Sequence, residues 1–104
     1  MKNIILKLNA LMLVLAFSFP ALAQTAQRQI SGTVTDGTGL PIIGAAVMVP
    51  GTTTGAVTDI DGRYLLELPA DTKTIEISSI GYVTAVVTLT QAAVYDAVLA
   101  DDTQ

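Results

Sequence analysis

Asp59-Ile60-Asp61-Gly62 is the first place in this chain where residue types and spacing suggest chemistry. Two carboxylates and a glycine in a tight loop resemble the opening of a calcium loop, in which carboxylate oxygens ligate a hard cation. A complete loop needs further oxygen ligands and a closing bidentate acid, and Glu67 falls too near and in a strand pattern. Asp59 and Asp61 therefore stand as metal candidates against a plainer role as turn formers, and the pattern favours the turn. Catalytic groups are scarce. The chain has no His and no Cys, which removes the commonest bases, metal ligands and thiol nucleophiles. Beyond the first 23 residues the serines are Ser31, Ser78 and Ser79, all at strand positions, and Lys73 is the only lysine left to serve as a base. A Lys–Asn crosslink is excluded there because no Asn occurs, and Lys73 sits at a turn where exposure is expected. A sugar-binding face would want exposed aromatic rings. Tyr64, Tyr82 and Tyr95 are the only aromatics in that part, and they read as core anchors with wet hydroxyls. The expectation is no enzyme, no cofactor and no small-molecule ligand.

The segment before these residues has a different job. Lys2 and Lys7 precede an almost unbroken apolar run, LNALMLVLAFSF, which Pro20 ends before Ala21-Leu22-Ala23. That order of charge, apolar core and small residues is a secretory signal over 1–23, with cleavage expected between Ala23 and Gln24. The core is shorter than the roughly 20 residues a membrane-crossing helix needs, so no span is expected in the exported chain. Of five cations, Arg28, Arg63 and Lys73 remain after cleavage, against nine acids. So acidic a module has no basic stripe for nucleic acid or for anionic membranes. Without cysteine it has neither disulfides nor a lipid-anchoring residue, and must be held by a packed core.

The elements that would position the candidate residues are short strands separated by turn chemistry. QISGTVT (Gln29 to Thr35) puts Ile30 and Val34 on one face. GAAVMV (Gly44 to Val49) and Ala56 to Thr58 follow. RYLLEL (Arg63 to Leu68) turns Tyr64, Leu66 and Leu68 one way. TIEISSI (Thr74 to Ile80) sets Ile75 and Ile77 opposite Glu76 and Ser78. YVTAVVTL (Tyr82 to Leu89) sends Val83, Ala85, Val87 and Leu89 inward, and Tyr95 to Leu99 supplies a last strand. Asp36-Gly37-Thr38-Gly39, Pro50-Gly51, Asp59 to Gly62 and Pro69-Ala70-Asp71 mark the turns. Seven short strands at this spacing predict an all-β fold, a seven-stranded antiparallel β-sandwich over 24–100, with a loose polar tail at 101–104.

GTVTD (Gly32 to Asp36), LPIIGAAV (Leu40 to Val47), GTTTGAVTDIDGRY (Gly51 to Tyr64) and SSIGY (Ser78 to Tyr82), in this order, resemble the carboxypeptidase regulatory-like domain. The form is similar to the one at the N-terminus of SusC/RagA-type TonB-linked outer-membrane proteins of Bacteroidetes-like bacteria. The resemblance implies a transthyretin-like seven-stranded sandwich without catalytic residues. It implies a place in the periplasm or at the outer membrane, and protein partners: a transporter plug and barrel, or TonB-linked periplasmic machinery. An outer-membrane barrel needs at least eight strands of about ten residues, which this chain does not contain. The expectation is thus an N-terminal fragment of such a transporter or an accessory domain to one. The alternatives are a stand-alone secreted module that binds glycan or calcium, and a structural surface module.

Overall fold

Alternating apolar residues of β-branched and aromatic type make strands, because every second side chain can enter one shared core. The computed structural model describes residues 26–102, and the predicted signal with its Ala23–Gln24 cleavage site lies outside them. Seven strands follow in order: β1 (Gln27–Asp36), β2 (Ala46–Met48), β3 (Gly55–Val57), β4 (Arg63–Pro69), β5 (Thr74–Ser78), β6 (Ala85–Thr88) and β7 (Ala97–Leu99). They form a three-stranded sheet in the order β4-β1-β7 and a four-stranded sheet in the order β3-β2-β5-β6. The fold is all-β, a two-sheet sandwich, as the turn spacing predicts.

The faces follow the alternation. Ile30 and Val34 of β1, with Tyr64, Leu66 and Leu68 of β4, point inward from one sheet. Val47 of β2 and Ile75 and Ile77 of β5 meet them from the other, while Glu67 and Glu76 stay outside. Each such aliphatic side chain contributes about 1.5–3 kcal/mol on burial, which is how so small a domain holds without disulfides.

Pairing departs from the antiparallel expectation at one place. β4 lies antiparallel to β1 from Gln27↔Pro69 to Thr33↔Arg63, but β7 lies parallel to β1, with Val34↔Ala97 and Asp36↔Leu99. An isolated parallel bridge at Ser31↔Val94 has the same offset, so the chain from Val94 onward tracks β1 in one register. The chain reaches β7 by crossing the sandwich from β6, so it re-enters beside β1 in the same direction.

Two other expectations are corrected. Val83, read as inward, is 52% exposed. The backbone turns at Gly81 (φ 87°), where Tyr82 N–H donates to Ser79 O, and the chain rejoins the sheet only at Ala85. The polar end is also not loose as far as Asp102. Val83 N–H donates to Ala100 O at 2.8 Å, Asp102 N–H donates to Gly81 O at 3.0 Å, and Tyr82 bridges Asp101. These backbone bonds tie the end down whatever its side chains.

Candidate functional site

Asp36 and Asp59 open two turns that are wired alike. In each, the N–H of the glycine three residues on donates to the aspartate carbonyl: Gly39 to Asp36 at 3.1 Å and Gly62 to Asp59 at 2.9 Å. The aspartate N–H donates to the carbonyl four residues on, Leu40 or Arg63, at 2.9 Å. Gly39 and Gly62 sit at φ 89° and 74°, the left-handed position that closes a three-residue loop on a bulge. The carboxylates finish each turn. Asp59 Oδ1 accepts from Asp61 N–H at 2.9 Å and Arg63 N–H at 3.0 Å. Asp36 Oδ1 accepts from Thr38 N–H, Thr38 Oγ1–H and Leu40 N–H at 2.9, 2.6 and 3.1 Å.

The metal candidates therefore separate. Asp59 spends one carboxylate oxygen inside its own turn, and Asp61 is exposed and supplies only its amide to that oxygen. Among the described residues no group of three or more His, Cys, Asp or Glu is placed to hold an ion. The arrangement acts as a turn lock.

The Thr38 hydroxyl, and after it the backbone amides, hold the Asp36 carboxyl below its ordinary value of 3.8. A depressed folded pKa means that the unfolded chain takes up the proton first. The stabilisation is complete above the ordinary value and is lost as pH falls through the lower folded one. Asp36→Asn keeps an acceptor oxygen but cannot titrate, so its melting temperature should fall less steeply than that of the wild type below about pH 4. A pH series of thermal melts checks this, and parallel acid limbs for the two proteins would contradict it.

An open cleft of about 320 Å³ lies on the outer side of the β4-β1-β7 sheet, lined by Ser31, Gly32, Thr33, Arg63, Tyr64, Val94 and Asp96. It gathers polar groups without arming any of them. Asp96 Oδ1 accepts the Thr33 N–H at 2.8 Å. The Tyr64 hydroxyl donates to Tyr95 O at 2.6 Å, and burial, reinforced by the Asp96 charge, pushes its pKa up to about 12. A phenol held neutral and already donating serves neither as base nor as nucleophile. Among the described residues Ser31 lies in the cleft without an activating partner, and Ser78, Ser79 and Lys73 belong to the other sheet and its loops.

The tyrosines are anchors, though not with wet hydroxyls throughout. The Tyr64 hydroxyl is sealed inside. That of Tyr95 donates to Thr90 O and accepts from Thr90 N–H, both at 2.9 Å. Arg28 adds a clamp, with Nη1 donating to Thr90 O at 2.9 Å and Nη2 to Ala92 O at 2.7 Å. Sequence reasoning assigned Arg28 no role, because its partners lie more than sixty residues away.

What remains unused by the fold is apolar surface at one end. Val34 N–H donates to Gly62 O, Thr35 bridges Pro41, Gly44 N–H donates to Thr58 O, and β7 runs into the segment bonded to Gly81 and Val83. These contacts put the loops after β1, β3, β5 and β7 together. Leu40, Ile43, Ile60, Ile80 and Val83 are all exposed on them, Ile80 completely, at 101%. Neither Ile60, between two aspartates, nor Ile80, before a glycine, has a reason to be apolar from turn chemistry, and that was the available signal. The described part of the chain begins at the opposite end, where Ala70 N–H donates to Ala26 O, and finishes at this one.

Residues 30–103 match the CarboxypepD_reg-like domain family. The chain is similar to the TonB-dependent receptor SusC of Bacteroides thetaiotaomicron, 39% identical over 97 residues, which is 92% of this chain and 9% of the receptor. It is also similar to a TonB-dependent receptor of Formosa agariphila, 38% identical over 96 residues, 91% of this chain and 9% of that protein. The chain thus spans about a tenth of the length of these relatives. Among solved structures, a chain of a type II cohesin–X-dockerin complex from Acetivibrio cellulolyticus aligns with a TM-score of 0.48 at 29% identity, over 69% of this chain and 51% of that one.

Proposed function

This chain belongs to the CarboxypepD_reg-like domain family, and from that premise we propose that it is a non-enzymatic periplasmic extension domain of, or accessory to, a SusC/RagA-type TonB-dependent outer-membrane transporter. The observation that carries this reading is the similarity to TonB-dependent receptors over nine-tenths of the chain. Export through the predicted signal, with cleavage between Ala23 and Gln24, delivers the domain to the periplasm. Its work is protein contact, either with a transporter plug and barrel or with the periplasmic machinery that energises them.

The geometry supports a contact role in two ways. The polar groups of the cleft and turns are committed to one another, so the surface offers shape and apolar area in place of reactive groups. The exposed aliphatics also stand together, at the end where β1 and β7 finish. Scattered single aliphatics need no explanation, whereas five gathered at one end mark a contact surface.

The test is an in-frame deletion of 26–102 in the receptor's reading frame, read by receptor abundance in the outer membrane and by growth on the imported nutrient. Growth should fail while the barrel is still assembled. A double variant, Ile60→Asp with Ile80→Asp, should reproduce the growth defect. Both side chains are exposed, so its stability should stay within about 0.5 kcal/mol per site. Undiminished growth in both strains would sink the proposal.

A further inference from the structure

We propose that β6 is a self-association edge, along which a second copy of this chain adds its own β6 antiparallel, with Val86 of one copy facing Val86 of the other. The argument begins with the four edges of the sandwich. Sheet edges present unpaired backbone groups, and soluble domains blunt them with charge, proline or brevity. β4 is blunted by exposed Arg63 and Glu67 and ends in Pro69. β3 and β7 are three residues each. β6 is treated differently: Thr84, Val86 and Thr88 are exposed along it, and it holds no charge, no proline and no glycine.

The phase of the ladder shows which groups are free. β6 pairs with β5 on one side only, through Ile77↔Ala85, Glu76↔Val86, Ile75↔Val87 and Thr74↔Thr88. Leu89 N–H donates to Lys73 O at 2.9 Å. Antiparallel ladders alternate, so the backbone groups of Ala85 and Val87 also face β5, and those of Thr84, Val86 and Thr88 face out. The segment 100–102 bonds to Gly81 and Val83, ahead of β6, and among the described residues no other segment bonds to the outer edge.

The choice of a second copy rests on the sequence of the edge itself. Thr84-Ala85-Val86-Val87-Thr88, β6 with the residue before it, reads alike in both directions by residue class. Antiparallel pairing centred on Val86 sets Thr84 against Thr88 and Ala85 against Val87, so each residue meets one of its own kind. A two-fold interface requires such self-complementarity, and an unrelated partner strand would not. Ala85, Val87 and Leu89 are only partly buried against the core, and the second copy covers what they leave open. The product is one continuous eight-stranded sheet across two sandwiches.

The experiment uses the purified protein in sedimentation equilibrium across a wide concentration range, with three variants. Dimers are expected, and Val86→Lys, which sets like charges face to face, should weaken association about tenfold or more. The Val86 Cα atoms would lie about 5.5 Å apart, within disulfide reach. Val86→Cys should then form covalent dimers on mild oxidation. Leu65→Cys, on the outer face of the other sheet and 61% exposed against 64% for Val86, should not. Circular dichroism confirms that each variant is folded. A monomer at every concentration overturns the proposal and leaves the edge to another protein's strand. So does a dimer that Val86→Lys leaves intact, or equal oxidation of the two cysteine variants.

Discussion

Replacing Gly32 by alanine is expected to cost at least ~3 kcal/mol, the upper part of the range for overpacking a core. A domain this size should then melt roughly 12–24 °C lower. Gly32 lies in the middle of β1, where glycine is ordinarily a weakness. Here the parallel register brings the Tyr95 backbone against it: Tyr95 N–H donates to Ser31 O at 2.7 Å, and the Tyr64 ring closes the other side. A Cβ added at Gly32 would fall on the Tyr95 carbonyl, 2.6 Å from its carbon and closer still to its oxygen, and 2.9 Å from Tyr64 Cε1. The obstacle on one side is backbone, which no rotamer change relieves. That same Tyr95 carbonyl accepts the buried Tyr64 hydroxyl, so displacing it also leaves a phenol without a partner. Gly37→Ala is the matched control, because nothing lies within 4 Å of a Cβ there and its φ is not positive. It should be neutral or stabilise by about 0.4–1 kcal/mol through the unfolded chain. Equal melting temperatures for the two variants would refute this account of the β1–Tyr95 contact.

The contrast between Gly32 and Gly37 also marks where the sequence is legible. Local rules sufficed wherever cause and effect lie within a few residues. The period-two faces of β1, β4 and β5 and the Asp-x-x-Gly turns at 36–39 and 59–62 can all be read from neighbouring residues. Gly32 could not be read so, since its reason is a carbonyl 63 residues away, brought close by a parallel pairing that no turn motif announces. The same distance hid Arg28, whose guanidinium holds the 90–92 loop, and sealed the Tyr64 hydroxyl that reads as wet. Val83 went wrong for the opposite reason. Alternation holds from Ala85 to Leu89, but Gly81 turns the preceding segment out of the sheet, so Val83 has no strand to give it an inner face.

Function was legible to a similar depth. Asp59 and Asp61 share the residue types of a cation site, and only the hydrogen bonds show one carboxylate turned onto its own loop's amides. The ordered motifs from Gly32 to Tyr82 resemble the family by themselves, and the match over 30–103 agrees with them. Contact surfaces are the least legible, because an exposed aliphatic residue has no local signature. Ile60 and Ile80 acquire meaning only when the fold brings their loops to one end.

Thr58→Val should destabilise the domain by at least ~2 kcal/mol, although it exchanges a hydroxyl for a methyl at a position only 4% exposed. By hydrophobic bookkeeping the change should help. The wiring says otherwise. Thr58 Oγ1 donates to Ile42 O at 2.6 Å and accepts the Ala45 N–H at 2.8 Å. The Thr58 amide donates to Ala45 O at 2.9 Å, and its carbonyl accepts from Gly44 N–H at 3.1 Å. One residue therefore satisfies Ile42 O, Gly44 N–H and both backbone groups of Ala45, which have no sheet partner of their own. Valine would leave a buried N–H and a buried C=O unpaired, each costing about 1–3 kcal/mol. Thr58→Ser keeps both bonds and loses one buried methyl, about 0.8 kcal/mol. The expected order is therefore wild type, then serine, then valine. Urea unfolding measures it, with an unchanged m-value showing that the same transition is being compared. Valine more stable than serine would mean that the hydroxyl fills space and does not hold the segment in place.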